Sequence, residues 1–178
     1  MKRILHILLL LAVSMSVRAQ DPQDVKHLEF DGVPINGRVA DFVYKLVDKG
    51  YKQVKGETYL TGKVLGQKAQ IVPASTPDGT KMYLVLVNLQ TKKSWENVKT
   101  CYDSMKMQLM VRYGDPILYK EEFDSVLAER DPIQALQYGN CTFISHYKAE
   151  GGEIILSISK DAVVQMYFVD TANAVSLY

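Results

Sequence analysis

One stretch, from Ser94 to Pro116 (SWENVKTCYDSMKMQLMVRYGDP), constrains the fold most, because it carries a full set of helix signals. The Ser94 hydroxyl can accept a hydrogen bond from a free backbone N–H, while Gly114 and Pro116 favour termination. Apolar side chains recur three and four positions apart, so they share one helix face. They are Trp95, Val98, Tyr102, Met105, Leu109 and Tyr113. The sequence therefore predicts a long amphipathic helix that organises the core.

The rest of the chain predicts a second main helix and several strands. The second main helix is predicted after Asn36, a candidate N-cap, because an apolar periodicity begins there and stops at Gly50. A shorter helix is expected at 133–138, after Asp131. Residues 117–123 are interpreted as a short strand or a loop. The other predicted strands are 27–30, 57–65, 68–74, 81–89, 141–148, 153–159 and 163–170.

Short turns between these strands imply antiparallel pairing. The expected class is therefore α+β, with an antiparallel sheet packed against two main helices. A helix followed by antiparallel strands occurs twice along the chain, which predicts two helix-plus-strands units.

The first 19 residues have the three parts of a secretory signal peptide. Lys2 and Arg3 precede an apolar run, and Val17-Arg18-Ala19 has the small-x-small pattern of a cleavage site. The apolar run is about half the length that a membrane span needs. We expect cleavage near Ala19, a flexible lead-in over residues 20–26, a single domain over 27–178, and a periplasmic or secreted location.

Charge limits the classes of partner. Removing the signal peptide leaves 18 basic residues against 20 acidic ones, which is close to neutral. A nucleic-acid binder or a membrane-surface protein usually carries a basic stripe, and none is present in the sequence. We therefore expect neither a nucleic-acid partner nor a membrane span.

Residue types that support catalysis or cofactor binding are sparse. The mature chain has two histidines, His27 and His146, and neither has a second metal ligand two to four positions away. Ser145 and His146 are adjacent, so on a strand they point to opposite faces, which argues against a dyad. Glycine-rich phosphate loops are absent. The expectation is no metal and no cofactor.

The two cysteines, Cys101 and Cys141, have two interpretations. An exported protein meets an oxidising compartment, and an even cysteine count is compatible with a disulfide. The alternative is two buried free thiols, because cysteine also packs as a small hydrophobe.

Asp124-Ser125-Val126 matches a short acidic–hydroxyl–apolar signal for O-glycosylation in Bacteroidetes periplasms. Similar triplets occur at Ser104 and Thr171, but the Ser104 triplet lies inside a predicted helix. Ser125 is therefore the candidate modification site.

The segment from Phe30 to Tyr51, FDGVPINGRVADFVYKLVDKGY, resembles a phrase found in small secreted Bacteroidetes proteins. The resemblance extends over nearly the whole mature chain, and it implies no activity because the matched positions are turn and core residues. Further matched positions are Ser94, Trp95, Tyr102, Tyr113, Gly114, Pro116, Gly152, Ile154, Leu156, Ile158 and Asp170. The expected architecture also resembles the tandem helix-plus-sheet fold of β-lactamase inhibitory proteins and of outer-membrane assembly lipoproteins such as BamE.

Two functions fit these observations. The first is a non-catalytic binding module that contacts an envelope protein or a glycan through Tyr59, Tyr147, His146 or the segment 73–79. The alternative is a small hydrolase with His146 as its base, oriented by Glu150 or Glu153. The sequence leaves the oligomeric state open.

Overall fold

The computed structural model describes residues 25–91 and 94–174, which form ten strands and five helices. The strands are β1 (Glu29–Phe30), β2 (Val33–Pro34), β3 (Lys52–Gln53), β4 (Leu60–Val64), β5 (Gln67–Ser75), β6 (Met82–Leu89), β7 (Leu118–Phe123), β8 (Cys141–Ala149), β9 (Gly152–Ile158) and β10 (Val164–Asp170). The helices are α1 (Val39–Asp48), α2 (Trp95–Tyr113), α3 (Val126–Arg130), α4 (Pro132–Tyr138) and α5 (Thr171–Ala174).

Eight of the described strands form one antiparallel sheet in the order β3-β4-β5-β6-β10-β9-β8-β7, while β1 and β2 form a separate hairpin. The predicted α+β class is confirmed. The element order repeats, since α1 precedes β3 to β6 and α2 precedes β7 to β10. The last strand of each unit, β6 and β10, pairs with the other at the centre of the sheet.

Helix α2 is the predicted helix. The Ser94 side chain accepts a hydrogen bond from the Asn97 N–H, and Gly114 ends the helix with φ of 81°. The helix packs on β8, β9 and β10. Its buried side chains are Val98, Cys101, Tyr102, Met105 and Leu109. Burying this stripe against three strands makes α2 the main cover of the second unit.

Helix α1 covers the first unit and contacts β2, β3 and β5. It begins later than its sequence suggested: Arg38 occupies the N-cap position, without a side-chain hydrogen bond, so the predicted cap at Asn36 is wrong. Phe42 and Leu46 are its buried residues, four positions apart on one face. The apolar spacing was therefore a better guide to this helix than the cap residue.

The β1–β2 hairpin places the Phe30 ring between α1 and the sheet. Its turn residues, Asp31 and Gly32, both have positive φ, which is the backbone of the favoured two-residue hairpin. The Phe30 ring lies 5.1 Å from that of Phe168 and 6.5 Å from that of Phe42. Because Phe168 lies on β10 and Phe42 on α1, Phe30 joins the first helix to the centre of the sheet.

The end of β10 holds the N-terminal segment in place. The buried Asp170 carboxylate accepts hydrogen bonds from the Leu28 N–H (2.8 Å) and the Asn173 N–H (2.9 Å). The N-terminal segment also lies so close to Gly151 that a Cβ atom on this residue would be 2.4 Å from the His27 carbonyl carbon. Both the carboxylate and the absence of a side chain at Gly151 therefore allow the N-terminal segment to pack here.

The remaining expectations have mixed outcomes. The interval 117–123, interpreted as a short strand or a loop, contains the strand β7 (Leu118–Phe123). Helix α4 begins after Asp131 as predicted, and α3 was not expected. The strand predicted over 57–65 is shorter, at Leu60–Val64. The predicted signal peptide, its cleavage site and the first part of the lead-in lie outside the described residues. Among the described helices, none is long and apolar enough to cross a membrane.

Candidate binding surfaces

The two faces of the large sheet differ in exposure because alternate residues of each strand point to opposite sides. One face packs against α1 and α2; we call the opposite face, whose side chains remain half-exposed, the open face. Aligned pairs place one row of mainly apolar side chains across six adjacent strands of the open face. This apolar row consists of Val72, Leu86, Tyr167, Ile155, His146 and Leu118.

A second row beside it is polar and linked by side-chain hydrogen bonds. The Asn88 amide donates to the Gln70 carbonyl oxygen (3.3 Å), and the Gln165 amide donates to the Asn88 carbonyl oxygen (2.8 Å). The Tyr167 hydroxyl then donates to Gln165 (2.8 Å), so the polar and apolar rows are connected. Sequence reasoning missed this amide ladder. The signal was one polar residue on each of three strands: Gln70, Asn88 and Gln165. That these three are neighbours can be recognised only once the register of the strands is known.

Tyr59, a predicted contact residue, lies at one end of the open face. It is half-exposed and lines a pocket of about 340 Å³ together with Gln70 and Asn88 of the amide ladder. An aromatic ring beside amide groups offers both apolar contact and hydrogen bonds. The structure therefore brings Tyr59 together with polar residues that the sequence did not single out. The segment 73–79 is the end of β5 and the turn that follows it.

His146 lies within the apolar row, between Leu118 on β7 and Ile155 on β9. Within the described residues, its imidazole makes no hydrogen bond to a hydroxyl or thiol and lies within 4.0 Å of no carboxylate. Ser145 points to the opposite face, as predicted. The surroundings of His146 therefore lack the orienting group that a catalytic base requires.

Tyr147 was predicted to be exposed, and this prediction is wrong. Its side chain is fully buried on the covered face, and its hydroxyl donates to the Lys106 carbonyl of α2 at 3.4 Å. Ser145, on the same face of β8, is hydrogen-bonded to the Tyr102 hydroxyl at 2.9 Å. Tyr147 thus belongs to the contact between α2 and the sheet, where a binding partner does not reach it.

Cys101 and Cys141 are free, buried thiols in the structure. Burial raises the pKa of the Cys101 thiol. Burial, and secondarily the charge of Asp124, raises the pKa of the Cys141 thiol. The thiolate is the reactive form of cysteine, so both groups are poor nucleophiles. They act here as small core residues between α2 and β8.

Ser125, the candidate O-glycosylation site, is exposed just before α3, but its side chain already takes part in a hydrogen bond. Its oxygen accepts a hydrogen bond from the Ala128 N–H (3.2 Å), which caps that helix. A glycan on this oxygen would have to coexist with the cap or displace it.

His27, unlike His146, has a carboxylate partner among the described residues. Its Nδ1 lies 3.0 Å from the Asp170 carboxylate, which also accepts the Leu28 N–H. A cleft of about 450 Å³ beside this pair is lined by Lys26, Arg112 and Glu150, with no serine, threonine or cysteine among its described lining residues. Because the same carboxylate holds both His27 and the Leu28 N–H, the pair fastens the N-terminal segment to the end of β10.

The buried polar side chains of the described residues are all hydrogen-bonded. In residues 25–91 and 94–174, every buried side-chain nitrogen or oxygen has a hydrogen-bond partner, and no group of three metal-binding side chains is present. Comparison with protein-family models, with curated proteins and with solved structures found no match to this chain.

Proposed function

We propose that this protein is an exported, non-catalytic binding module that recognises another envelope protein through its open face. The observation that carries this proposal is the apolar row. A sheet face exposed to water normally carries polar residues, whereas here an apolar row crosses the middle of that face. In this row Leu118 is exposed and the other five side chains, His146 among them, are partly exposed. Apolar side chains grouped at a protein surface often mark contact sites.

The dimensions of the row favour a protein partner over a small glycan. Six strands at about 4.8 Å spacing give a length of about 24 Å. That length suits a protein contact, which typically covers about 800 Å² on each partner. A glycan fits better in the pocket beside Tyr59, so it is kept as an outcome of the test.

The proposal is tested by capturing partners from an envelope extract with two matched variants. Ile155→Lys places a charge in the apolar row, and Val111→Lys places the same charge on the outer side of α2, where Val111 is 87 % exposed. We expect the partner bound by the wild-type protein to be lost with Ile155→Lys and retained with Val111→Lys. Thermal unfolding of both variants verifies that each is folded.

Loss of the partner with Val111→Lys but not with Ile155→Lys would place the contact on α2 and not on the open face. Capture that neither substitution affects would overturn the proposal. Competition by soluble envelope glycans, together with loss of capture in Tyr59→Ala, would assign the site to a glycan instead.

The alternative function, a hydrolase around His146, remains a hypothesis that the surroundings of that histidine do not favour. The periplasmic or secreted location rests on the predicted signal peptide. It is tested by the N-terminal sequence of the purified protein, expected to begin near Gln20.

A further inference from the structure

A pocket of about 560 Å³ lies where the end of α1 meets the strands β3, β4 and β5. Its size is within the range of small-molecule sites. Four lysines line it: Lys49, Lys52, Lys63 and Lys68. We refer to it as the lysine pocket.

The four lysines of this pocket, like Lys148 and Lys160 elsewhere on the surface, have no carboxylate partner among the described residues. Among the described residues, no carboxylate lies within 4.0 Å of any of the four ammonium groups, whereas Lys99 and Lys106 on α2 both pair with Glu121. Lys63 and Lys68 are directly opposite each other on the β4–β5 hairpin. Like charges in this position are destabilising, so the hairpin carries a repulsion that a bound anion would relieve.

A rigid wall and one carboxylate complete the pocket. The Tyr51 ring lies against β4 so closely that a Cβ atom on Gly62 would be 2.4 Å from its Cδ1. The Tyr51 hydroxyl donates to the Asp31 carboxylate at 3.2 Å. Asp31 is the one acidic residue among the described residues that line the pocket, so the lining contains four exposed lysines and one aspartate.

We propose that the lysine pocket binds a sugar-sized molecule that carries a phosphate or sulfate group. Lysine ammoniums are compact charges with three donors each, and several of them together suit a small oxyanion with many acceptor oxygens. Thr61 and Gln90, which also line the pocket, supply neutral hydrogen-bonding groups for a hydroxylated ligand. This site does not depend on the function proposed for the open face.

The test is calorimetric titration of the purified protein with inorganic phosphate, inorganic sulfate, glucose 6-phosphate and glucose. We expect the phosphate ester to bind and glucose not to bind, with affinity falling as salt is raised because the attraction is electrostatic. Tighter binding of the ester than of the inorganic anions supports recognition of the sugar. Equal affinities support a site for the free oxyanion.

The matched variants change the same number of charges at two places. Lys63→Gln with Lys68→Gln removes the opposed pair, while Lys148→Gln with Lys160→Gln removes two lysines that line none of the described pockets. We expect the first double variant to weaken binding of glucose 6-phosphate at least tenfold and the second to leave it unchanged.

In the absence of anion, Lys63→Gln with Lys68→Gln should raise the melting temperature, because the repulsion is gone. This readout separates a lost site from a lost fold. If both double variants bound glucose 6-phosphate equally weakly, the cause would be the lower net charge of the protein and not the lysine pocket. That result would overturn the proposal. Absence of binding by all four compounds at low salt would also overturn it.

Discussion

The covered and open faces of the large sheet are made by alternate residues of the same strands, yet they differ in how completely they are packed. On β10, Phe168 is buried against Phe30, while the adjacent Tyr167 is half-exposed in the apolar row. Hydrogen bonds on the covered face tie the sheet to α2, and those on the open face join its strands to each other. One face therefore holds the fold together, and the other keeps its side chains partly exposed.

The sharpest test of this difference compares Phe168→Ala with Tyr167→Ala. Phe168 fills the core, so its loss should cost about 3–5 kcal/mol of unfolding free energy. Tyr167→Ala removes half-exposed area and one hydrogen bond, and should cost about 1–2 kcal/mol. Urea unfolding of both variants measures the difference, and equal losses would show that the open face is packed as tightly as the covered one.

The second prediction concerns Asp170, the buried carboxylate at the end of β10. Asp170→Asn keeps the shape of the side chain but puts an amide N–H₂ donor next to the Leu28 and Asn173 N–H groups, which are donors themselves. We therefore expect the free energy of unfolding to fall by about 2–3 kcal/mol. The control is Glu150→Gln, which removes an exposed ion pair with Lys26 and should change stability by less than about 0.5 kcal/mol. Similar effects of the two substitutions would contradict the fastening role of Asp170.

The third prediction concerns alkaline stability. Burial, assisted by the Asp31 carboxylate, raises the pKa of Tyr51 to about 12 from an ordinary value of 10.0. Between these values the folded protein holds a proton that the unfolded chain has lost, so stability falls as pH rises through this window. Urea unfolding at pH 9 to 11 should show a shallower decline in Tyr51→Phe than in the wild type. An unchanged pH slope in the variant would contradict this cause.

The smallest effect is on thiol reactivity. Because Cys101 on α2 and Cys141 on β8 are both buried, a thiol reagent should react slowly with the folded protein and find two thiols in denaturant. Fast reaction in the folded protein would show that this part of the covered face opens readily. Finding no thiols in denaturant would instead indicate a disulfide between the two residues.

Much of the fold was predictable because its signals are local. Helix α2 has a capping serine, a long apolar stripe and a terminating glycine, and all three act as predicted. β7 was ambiguous because it is an edge strand with three charged residues in six, a pattern that edges favour. The orientation of Tyr147 was mispredicted because β8 has apolar residues at both phases, so alternation alone does not say which face meets a helix.

The candidate surfaces were much less predictable. Members of the apolar row come from six strands and are aligned by a register that no local pattern encodes. The lysine pocket likewise draws on the end of α1 and on three strands. Such surfaces are set by tertiary structure, whereas helices and turns are set largely by neighbouring residues.

The pairing of β6 with β10 has a consequence for how the chain folds during synthesis. Asn88 and Gln165 are hydrogen-bonded across this pair although 77 residues separate them in the chain. The ribosome must therefore complete the last strand before the edge of β6 can be paired, and contacts of such high sequence separation form slowly. A chain that ended before β10 would present the exposed edges of β6 and β9, which are templates for aggregation. The final strand therefore fills the gap between β6 and β9 and leaves neither edge exposed.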